Sequence, residues 1–550
     1  MYPEKPPGEQ IPVRIGCRRS GVKKQSQILR PEQGVALPRV DIPYHPIPQT
    51  TGIAISRNGI ILHSGGDSVE QWSSKIGFLL AAIGTAVGIG NIWRFSAVVG
   101  QNGGGAYLIP YLIAVFLFAM PLMILEISMG RHFRQTVVSA FRSVRPRFSV
   151  IGWLLCAILF IILSYYLVIT GWTLAYALFS ATGTVTTFAR FTTSYEPVVF
   201  FIIATLVTGI VVSIGVRKGI EKISFVMVPF CIIILLVMAI IGTTLPGFAD
   251  GMHYFLTPDF SVLTNPLIWS AAFGQAFFSL SVGQGILLTY GAYAPAGVRI
   301  PPSALIVTVA DLMVALLAGT VIFPIVYSFG FTPAIGSELA FSTLPKAFAL
   351  MPGGQLFAVA FFIVLFFAAV TSAVSMLEVN VAALREALGW TRRRTTILLT
   401  AGILALGLPS ALSYSAANLT FTGVRVLDYL DETVGTLGIP IAALLMSVVF
   451  TWFLKRSVLE SEINAGGRLT VAVIFLCQYV IPAVLVITTG FRLLSGVDFS
   501  GTRIIPGAEF IGTPAQAAGI AVILILLLAN ILLICRVWGC RLPRRHGKGR

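Results

Sequence analysis

Charged residues are scarce in this 550-residue chain: Asp, Glu, Lys and Arg make up 11% of it, whereas hydrophobic residues make up 56%. Soluble domains carry about 25% charged residues, so this composition excludes a soluble globular protein. Cysteine is scarce too, with six residues, and none of them falls in a predicted outer loop. Neither a disulfide framework nor a cysteine metal motif is therefore indicated.

Long apolar runs take up most of the sequence. A helix needs roughly 20 apolar residues to span hydrocarbon, and in lipid the backbone must satisfy its own hydrogen bonds. The sequence therefore predicts an all-α polytopic membrane protein with twelve transmembrane helices. The twelve runs begin near Ile76, Ala106, Ile151, Pro197, Ile223, Leu267, Ala304, Gln355, Thr395, Gly435, Leu469 and Pro514.

The net charge of +16 is distributed unevenly between alternate connections. If the N-terminus is cytoplasmic, most of the arginines, such as Arg131, Arg217 and Arg392, lie in cytoplasmic connections. The positive-inside rule then places both termini in the cytoplasm. This explains the basic charge better than nucleic-acid binding does, so no nucleic-acid partner is expected. No long, cysteine-bearing outer loop follows the third run, which favours a prokaryotic plasma (inner) membrane.

The two ends of the chain differ from the apolar middle. Residues 1–68 are Pro-rich and polar and lack the apolar core of a signal peptide. We interpret them as a disordered cytoplasmic extension or as an overextended start of translation. Residues 539–550 form a basic cytoplasmic tail.

Two of the apolar runs are interrupted by glycine and polar residues. The stretch AAIGTAVGIGNIWRF (81–95) lies in the first run, and FGQAFFSLSVGQGILLTY (273–290) lies in the sixth. Transporters with internal repeats form their binding sites at such paired interruptions. Close helix packing through small residues is the alternative, but buried amides such as Asn91, Gln275 and Gln284 favour binding segments.

The spacing of the interruptions predicts two five-helix halves, residues 69–244 and 245–455, related as an inverted repeat with broken helices 1 and 6. Residues 456–538 then hold the last two helices. GTAVGIGNIWRF followed by NGGGAYLIPY resembles the first two helices of the neurotransmitter:sodium symporter family, whose prototype is the bacterial leucine transporter. QAFFSLSVGQG, SYYLVITGW, ADLMVALLAG, FFAAVTSAVSMLE and LDETVGTLG resemble its sixth, third, seventh, eighth and tenth helices.

The resemblance implies two sodium sites. One uses the Gly84, Val87 and Ala368 carbonyls and the Thr371 and Ser372 hydroxyls; hydrogen bonding of these two hydroxyls to their own helix is the alternative. The other site uses the Ala86 carbonyl, the Asn91 and Ser279 side chains, Asp311 and the substrate carboxylate.

Asp311 also bears on chloride. A carboxylate in this apolar context is costly unless it meets a cation. Many eukaryotic relatives have Asn at this position and Ser one turn later, where this chain has Ala315, and those relatives need chloride. We therefore expect chloride-independent transport, although Tyr111, Gln275 and Ser279 match other positions of the family's chloride site.

The resemblance also implies a substrate pocket. The Ala86 and Gly90 amides and the Tyr166 hydroxyl would hold a carboxylate, and carbonyls of Ala86, Phe278 and Ser279 with the Ser281 side chain would hold an amino group. Gly88 stands where monoamine-transporting relatives carry an Asp, which favours an amino-acid substrate. Gln284 replaces a Phe of the prototype and points toward a polar or hydroxylated side chain. The side-chain pocket would be lined by Ile162, Tyr166, Phe278, Gln284, Ser372 and Met376.

Gate residues follow from the same resemblance. Arg94 and Asp431 match the outer ion pair, above a lid of Tyr166 and Phe278, although an exposed pair of little energetic consequence is the alternative. At the inner gate Glu386 matches the acid, but Val69 replaces its usual Arg partner. Lys75 or the Arg-rich inner loops could substitute, and the other predicted latch residues are Trp72, Ser74 and Tyr293.

The sequence thus predicts a symporter, not an enzyme, that couples Na⁺ entry (two ions, no chloride) to uptake of a neutral amino acid by alternating access in a lipid bilayer. Its oligomeric state stays open. One alternative is a proton-coupled permease of the same fold, with Asp311 or Glu378 as the proton carrier. Another is a non-transporting amino-acid sensor that signals through residues 1–68.

Overall fold

The computed structural model describes residues 70–495, except 185, 259, 265, 332–338 and 422, together with 53–56 and 59–62. The chain divides into two units, Met1–Asp67 and Ser68–Arg550. In the first unit, strands β1 (Ile53–Ser56) and β2 (Gly59–Leu62) form an antiparallel hairpin in which Ile53 pairs with Leu62 and Ser56 with Gly59. The extension predicted for residues 1–68 therefore includes one short hairpin; its other residues, and Val69, lie outside the described residues.

The second unit is helical. Strands β3 (Thr420–Phe421) and β4 (Val424–Arg425) pair in a short antiparallel hairpin, and a 3₁₀ turn covers Phe260–Thr264. The helices are α1 (Lys75–Ala86), α2 (Gly90–Gln101), α3 (Gly105–Phe133), α4 (Val137–Val144), α5 (Pro146–Thr182), α6 (Phe188–Thr192), α7 (Glu196–Ile214), α8 (Val216–Gly242), α9 (Phe248–Leu256), α10 (Pro266–Ser279), α11 (Ile286–Ala292), α12 (Ile300–Ser328), α13 (Leu339–Leu350), α14 (Gly354–Leu388), α15 (Arg392–Ser413), α16 (Val426–Phe453), α17 (Arg456–Ile463) and α18 (Gly467–Gly490, continuing to Ser495).

Within the described part of the chain, nine helices are long and apolar enough to cross a bilayer, and α1 with α2 makes a tenth candidate. The sixth apolar run forms α10 and α11, separated by residues 280–285. The twelfth run, beginning near Pro514, and the basic tail lie outside the described residues. The number of twelve, the two repeat halves and the basic tail therefore remain predictions.

The packing of the helices places α1 at the centre. The two longest helices, α5 and α14, pack against each other, and α1 contacts α8, α12 and α14. Large apolar side chains on the outer faces, for example Ile210, Ile233 and Ile240, are largely exposed. This is the pattern of a bundle whose outer surface faces lipid and whose polar residues lie inside.

Candidate functional site

The first interruption separates α1 from α2. Val87 leaves the helical conformation with ψ 95°, α2 begins at Gly90, and the two helix axes differ by 52°. The Gly88 amide donates to Asn91 Oδ1 at 3.0 Å, so the side chain of Asn91 takes up one of the freed backbone groups. The last carbonyls of α1 lose their own-helix partners at such a break.

The second interruption separates α10 from α11. Ser281 has a φ of 52° and Gly283 one of 84°, both in the left-handed region, which ends the helical geometry of α10. The Ser281 hydroxyl donates to the Thr85 carbonyl at 2.8 Å, and the Gly283 amide donates to the buried Glu126 carboxylate. The two interruptions are therefore joined by hydrogen bonds, and a carboxylate of α3 holds the second one.

A polar cluster of Asn91, Ser279 and Asp311 lies where the interruptions meet α12. Asn91 Nδ2 donates to Asp311 Oδ1 at 2.5 Å and approaches Ser279 Oγ at 2.8 Å, and Ser279 Oγ lies 2.9 Å from Asp311 Oδ2. Asn91 and Asp311 are completely buried and Ser279 nearly so. The structure thus brings together the three side chains predicted for one sodium site.

The residues predicted for the other sodium site lie between α1 and α14. A Cβ built on Gly84 would lie 3.5 Å from Thr371 Cβ, so the two helices touch here. Thr371 donates to the carbonyl of Ala368 at 3.0 Å, and Ser372 donates to the carbonyl of Thr85 at 3.2 Å. Thr371 thus bonds only to its own helix and Ser372 bonds to its own helix as well, as the alternative interpretation holds, but each hydroxyl oxygen keeps lone pairs for a cation.

A small cavity of about 10 Å³ lies beside these clusters. Ten of the eleven residues predicted for the substrate site line it, and the eleventh, Ile162, is buried without lining it. Thr85 lines the cavity although the sequence did not single it out. The lining residues are Thr85, Ala86, Gly88, Gly90, Asn91, Tyr166, Phe278, Ser279, Ser281, Gln284, Ser372 and Met376.

Two glycines of the first interruption allow close packing around this cavity. A Cβ on Gly88 would lie 2.8 Å from Ser372 Oγ and 3.3 Å from the Tyr166 hydroxyl. A Cβ on Gly90 would lie 2.6 Å from the ring of Phe278. Any side chain at either position would therefore displace a lining residue.

The positions that match a chloride site surround the same polar cluster. Gln275 Nε2 donates to the Gly90 carbonyl at 2.9 Å. The Tyr111 hydroxyl is buried and has no hydrogen-bond partner among the described residues. Because Asp311 already places a carboxylate in this cluster, a second anion here would meet like charge at short range.

At the predicted outer gate, the Arg94 guanidinium lies over the ring of Phe278, 4.4 Å from its centroid. Among the described residues, neither Arg94 nor Asp431 forms an ion pair within 4.0 Å. Asp431 instead lies beside the hydroxyl of Tyr165. Phe278 connects Arg94 to the cavity, while the gating role of the Arg94–Asp431 pair remains a prediction.

At the predicted inner gate, Trp72 holds the start of the first run against the end of α11. Its indole Nε1 donates to the Tyr290 carbonyl at 3.1 Å, its amide donates to the Tyr293 carbonyl at 3.1 Å, and its ring packs edge-on against both tyrosines. The predicted latch residues Trp72 and Tyr293 are thus in contact. Ser74 caps α1 by accepting from the Gly77 amide.

An acid-centred ion cluster adjoins this contact, and sequence reasoning missed its centre, Glu70. Glu70 Oε1 lies 2.7 Å from Arg392 Nη1 and 3.2 Å from Arg385 Nη1, and Glu70 Oε2 accepts from the Val216 amide at 2.9 Å. Arg392 also pairs with the buried Glu378, which accepts from the Tyr293 hydroxyl at 2.9 Å. The available signal was an acidic residue directly after Val69, which stands where the family usually has an arginine.

Glu386, the predicted acid of the inner gate, lies outside this cluster. It accepts a hydrogen bond from Ser139 of α4. Lys75 and the Arg-rich inner loops were the two predicted substitutes for the arginine that Val69 replaces. One residue of these loops, Arg392, does form ion pairs, but its partners are Glu70 and Glu378 and not Glu386. The gating role of Glu386 remains a prediction.

Comparison with known proteins identifies the chain. A family profile described as "Sodium:neurotransmitter symporter family" matches residues 69–196 and 193–539. The chain belongs to this family. This symporter-family protein is therefore a secondary transporter of the membrane and not an enzyme, as the resemblance indicated.

Individual relatives are described as sodium-dependent transporters as well. An uncharacterised sodium-dependent transporter of Bacillus subtilis, YhdH, is 36% identical over 436 residues, covering 76% of this chain and 96% of the relative. One of Methanocaldococcus jannaschii is 32% identical, covering 74% and 86%. The crystal structure of MhsT in complex with L-phenylalanine has a TM-score of 0.71 at 35% identity and covers 76% of this chain and 98% of MhsT. This similarity shows the leucine-transporter fold.

Proposed function

We propose that this protein couples the inward movement of two Na⁺ ions to the uptake of a neutral amino acid, without chloride, through alternating access by twelve helices in two inverted halves. We place it in the prokaryotic inner membrane with both termini in the cytoplasm. The observation that carries the proposal is the shared position of the Asn91–Ser279–Asp311 cluster and the cavity: both lie where two interrupted helices meet. The residues that would hold a cation thus adjoin those that would hold a substrate carboxylate.

The two ion sites differ in charge. The cluster site would use the Ala86 carbonyl with Asn91, Ser279 and Asp311, and Asp311 would supply its fixed negative charge. The second site would use only neutral oxygens between α1 and α14. A carboxylate substrate that contacts the first ion would stabilise it and be stabilised by it, and such reciprocal stabilisation is thermodynamic coupling.

An amino-acid substrate is supported by two relatives and by one residue. MhsT was solved with L-phenylalanine, and a Bos taurus relative that is 28% identical over 47% of this chain is described as a neutral amino acid transporter. Gly88 leaves no acid to pair with a substrate that is only an amine. Because Glu378 pairs with Arg392, it is poorly suited to carry protons, which leaves Asp311 as the carboxylate a proton-coupled mechanism would use.

The deciding experiment is thermal stabilisation of the purified protein by each of the twenty amino acids in NaCl, sodium gluconate and choline chloride. We expect stabilisation by a group of neutral amino acids in both sodium salts and none in choline. Stabilisation in choline that depends on pH would instead support proton coupling. Uptake that survives deletion of residues 1–68 would argue against a sensor that signals through them.

A further inference from the structure

Two polar side chains of the cavity have no hydrogen-bond partner among the described residues. These are Thr85, through Oγ1, and Gln284, through its amide oxygen. Both side chains are buried, with 1% and 4% of their surface exposed. A buried polar group without a partner costs about 1–3 kcal/mol, so their presence in a substrate cavity calls for an explanation.

Four other polar side chains of the cavity are paired, and the Tyr166 hydroxyl, which also lines it, is the group proposed to hold the substrate carboxylate. Asn91 and Ser279 bond to Asp311, and Ser281 and Ser372 both donate to the Thr85 carbonyl. These pairs connect the interrupted helices at the end of the cavity where the carboxylate and amino groups of the substrate would bind. Thr85 and Gln284 are therefore the two polar side chains of the cavity that have neither a hydrogen-bond partner within the described ranges nor a role in holding the substrate's carboxylate or amino group.

Thr85 also departs from the usual behaviour of a helical threonine, which donates to the carbonyl one turn earlier. In this protein Thr170 donates to the Tyr166 carbonyl at 2.9 Å and Thr289 to the Gly285 carbonyl at 2.9 Å. The hydroxyl of Thr85 makes no such bond within α1. It thus remains available to a ligand in the cavity.

From these observations we infer that the transported amino acid has a neutral polar side chain, a hydroxyl or a carboxamide, which hydrogen-bonds to Thr85 and Gln284. This inference rests on the proposed function and narrows its substrate class. A hydroxyl and an amide can each donate or accept, so both protein groups match either side chain. A charged side chain would find no opposite charge on Thr85 or Gln284, and an aliphatic one would leave both groups unpaired.

The test compares amino acids of nearly equal shape that differ in polarity: threonine with valine, asparagine with leucine, and glutamine with methionine. Dissociation constants are measured on the full-length protein in NaCl. We expect the polar member of at least one pair to bind at least about tenfold more tightly, since a site built for hydrogen bonding strongly rejects an analogue that lacks the group. In the double variant Thr85→Val, Gln284→Met that advantage should fall to about twofold or reverse.

Thr400→Val is the matched control. Thr400 is also buried with an unpartnered hydroxyl in the described part of the chain, but it lies in α15 and does not line the cavity. This variant should keep the wild-type preference. If the control loses that preference as well, the effect of the double variant is not specific to the cavity and the inference fails.

The remaining outcomes separate the inference from the proposed function. Sodium-dependent binding that favours the apolar member of every pair would overturn the inference and leave sodium-coupled amino-acid transport intact. A polar preference unchanged in the double variant would overturn the roles of Thr85 and Gln284. Absence of sodium-dependent binding for every amino acid would overturn the proposed function itself.

Discussion

The Glu70 carboxylate lies 2.7 Å from Arg392 Nη1, although the two residues are 322 positions apart in the chain. Their pairing fastens the segment before α1 to the start of α15. Both side chains are mostly buried, with 26% and 12% exposed, so the pair is less screened than a surface salt bridge. The acid at position 70 thus forms ion pairs directly beside Val69, which stands where the family usually has an arginine.

We expect Glu70→Gln to loosen the contact between the segment before α1 and the start of α15. The charge on Arg392 would then be shared only with Glu378, and the segment 70–77 would open more often. Hydrogen–deuterium exchange of this segment should become at least about tenfold faster, or about 1.4 kcal/mol of opening free energy. The matched control is Glu460→Gln, which removes an exposed pair with Arg456. Unchanged exchange in Glu70→Gln would show that the pair does not hold the segment.

Gly88→Ala should weaken substrate binding. The added methyl group would lie 2.8 Å from Ser372 Oγ, closer than Cβ atoms approach such neighbours, so Ser372 or Tyr166 must move. We expect the dissociation constant of the stabilising amino acid to rise at least about tenfold, as measured by thermal stabilisation. Gly490→Ala is the control, because a Cβ there would meet nothing within 4 Å. Equal affinity in Gly88→Ala and wild type would place the substrate elsewhere.

Asp311→Asn together with Ala315→Ser should make transport depend on chloride. Removing the carboxylate leaves a cation site without its fixed negative charge, which a chloride ion beside Tyr111 and Ser279 would restore. Uptake by this variant is measured in NaCl and in sodium gluconate, and we expect uptake only in NaCl. Wild-type protein that already needs chloride would contradict the role assigned to Asp311.

Thr371→Val should raise the sodium concentration needed for half-maximal substrate binding, by about tenfold. The substitution removes one neutral oxygen from the site between α1 and α14 and keeps the side-chain volume nearly constant. Thr170→Val is matched, because Thr170 is also a buried threonine bonded to its own helix, but it lies in α5 and belongs to neither predicted sodium site. Equal sodium dependence of the two variants would mean that the Thr371 hydroxyl only bonds to its helix.

Sequence reasoning located the helices and both interruptions because those signals are local. An apolar run of about 20 residues needs no partner to indicate a span. Glycines beside Asn91, and Gly283 beside Gln284, mark weak points in a helix whatever packs around them. The residues of the candidate substrate site came from the resemblance to the symporter family, and ten of these eleven residues line one cavity.

The contacts between side chains that lie far apart in the sequence could not be predicted from such local signals. Glu386 bonds to Ser139 of α4, Glu70 bonds to Arg392 and Arg385, and Arg94 lies over Phe278. Each of these contacts depends on the angle and register at which helices pack, and many sequence-distant residues of suitable charge compete for each group. A resemblance to a family indicates which position matches a known site, but it does not indicate which partner a residue has when its neighbours differ from those of the family.

The amino-acid sequence by itself determined that this protein lies in a membrane and where its helices break, because hydrophobic length and glycine act over short stretches. The tertiary structure alone decided which polar groups are satisfied. It pairs Asn91 with Asp311 and Glu70 with Arg392, and it leaves Thr85 Oγ1 and the Gln284 amide oxygen without a hydrogen-bond partner in the described part of the chain. The physical reason is that hydrogen bonds between helices form only where packing brings their atoms within about 3 Å.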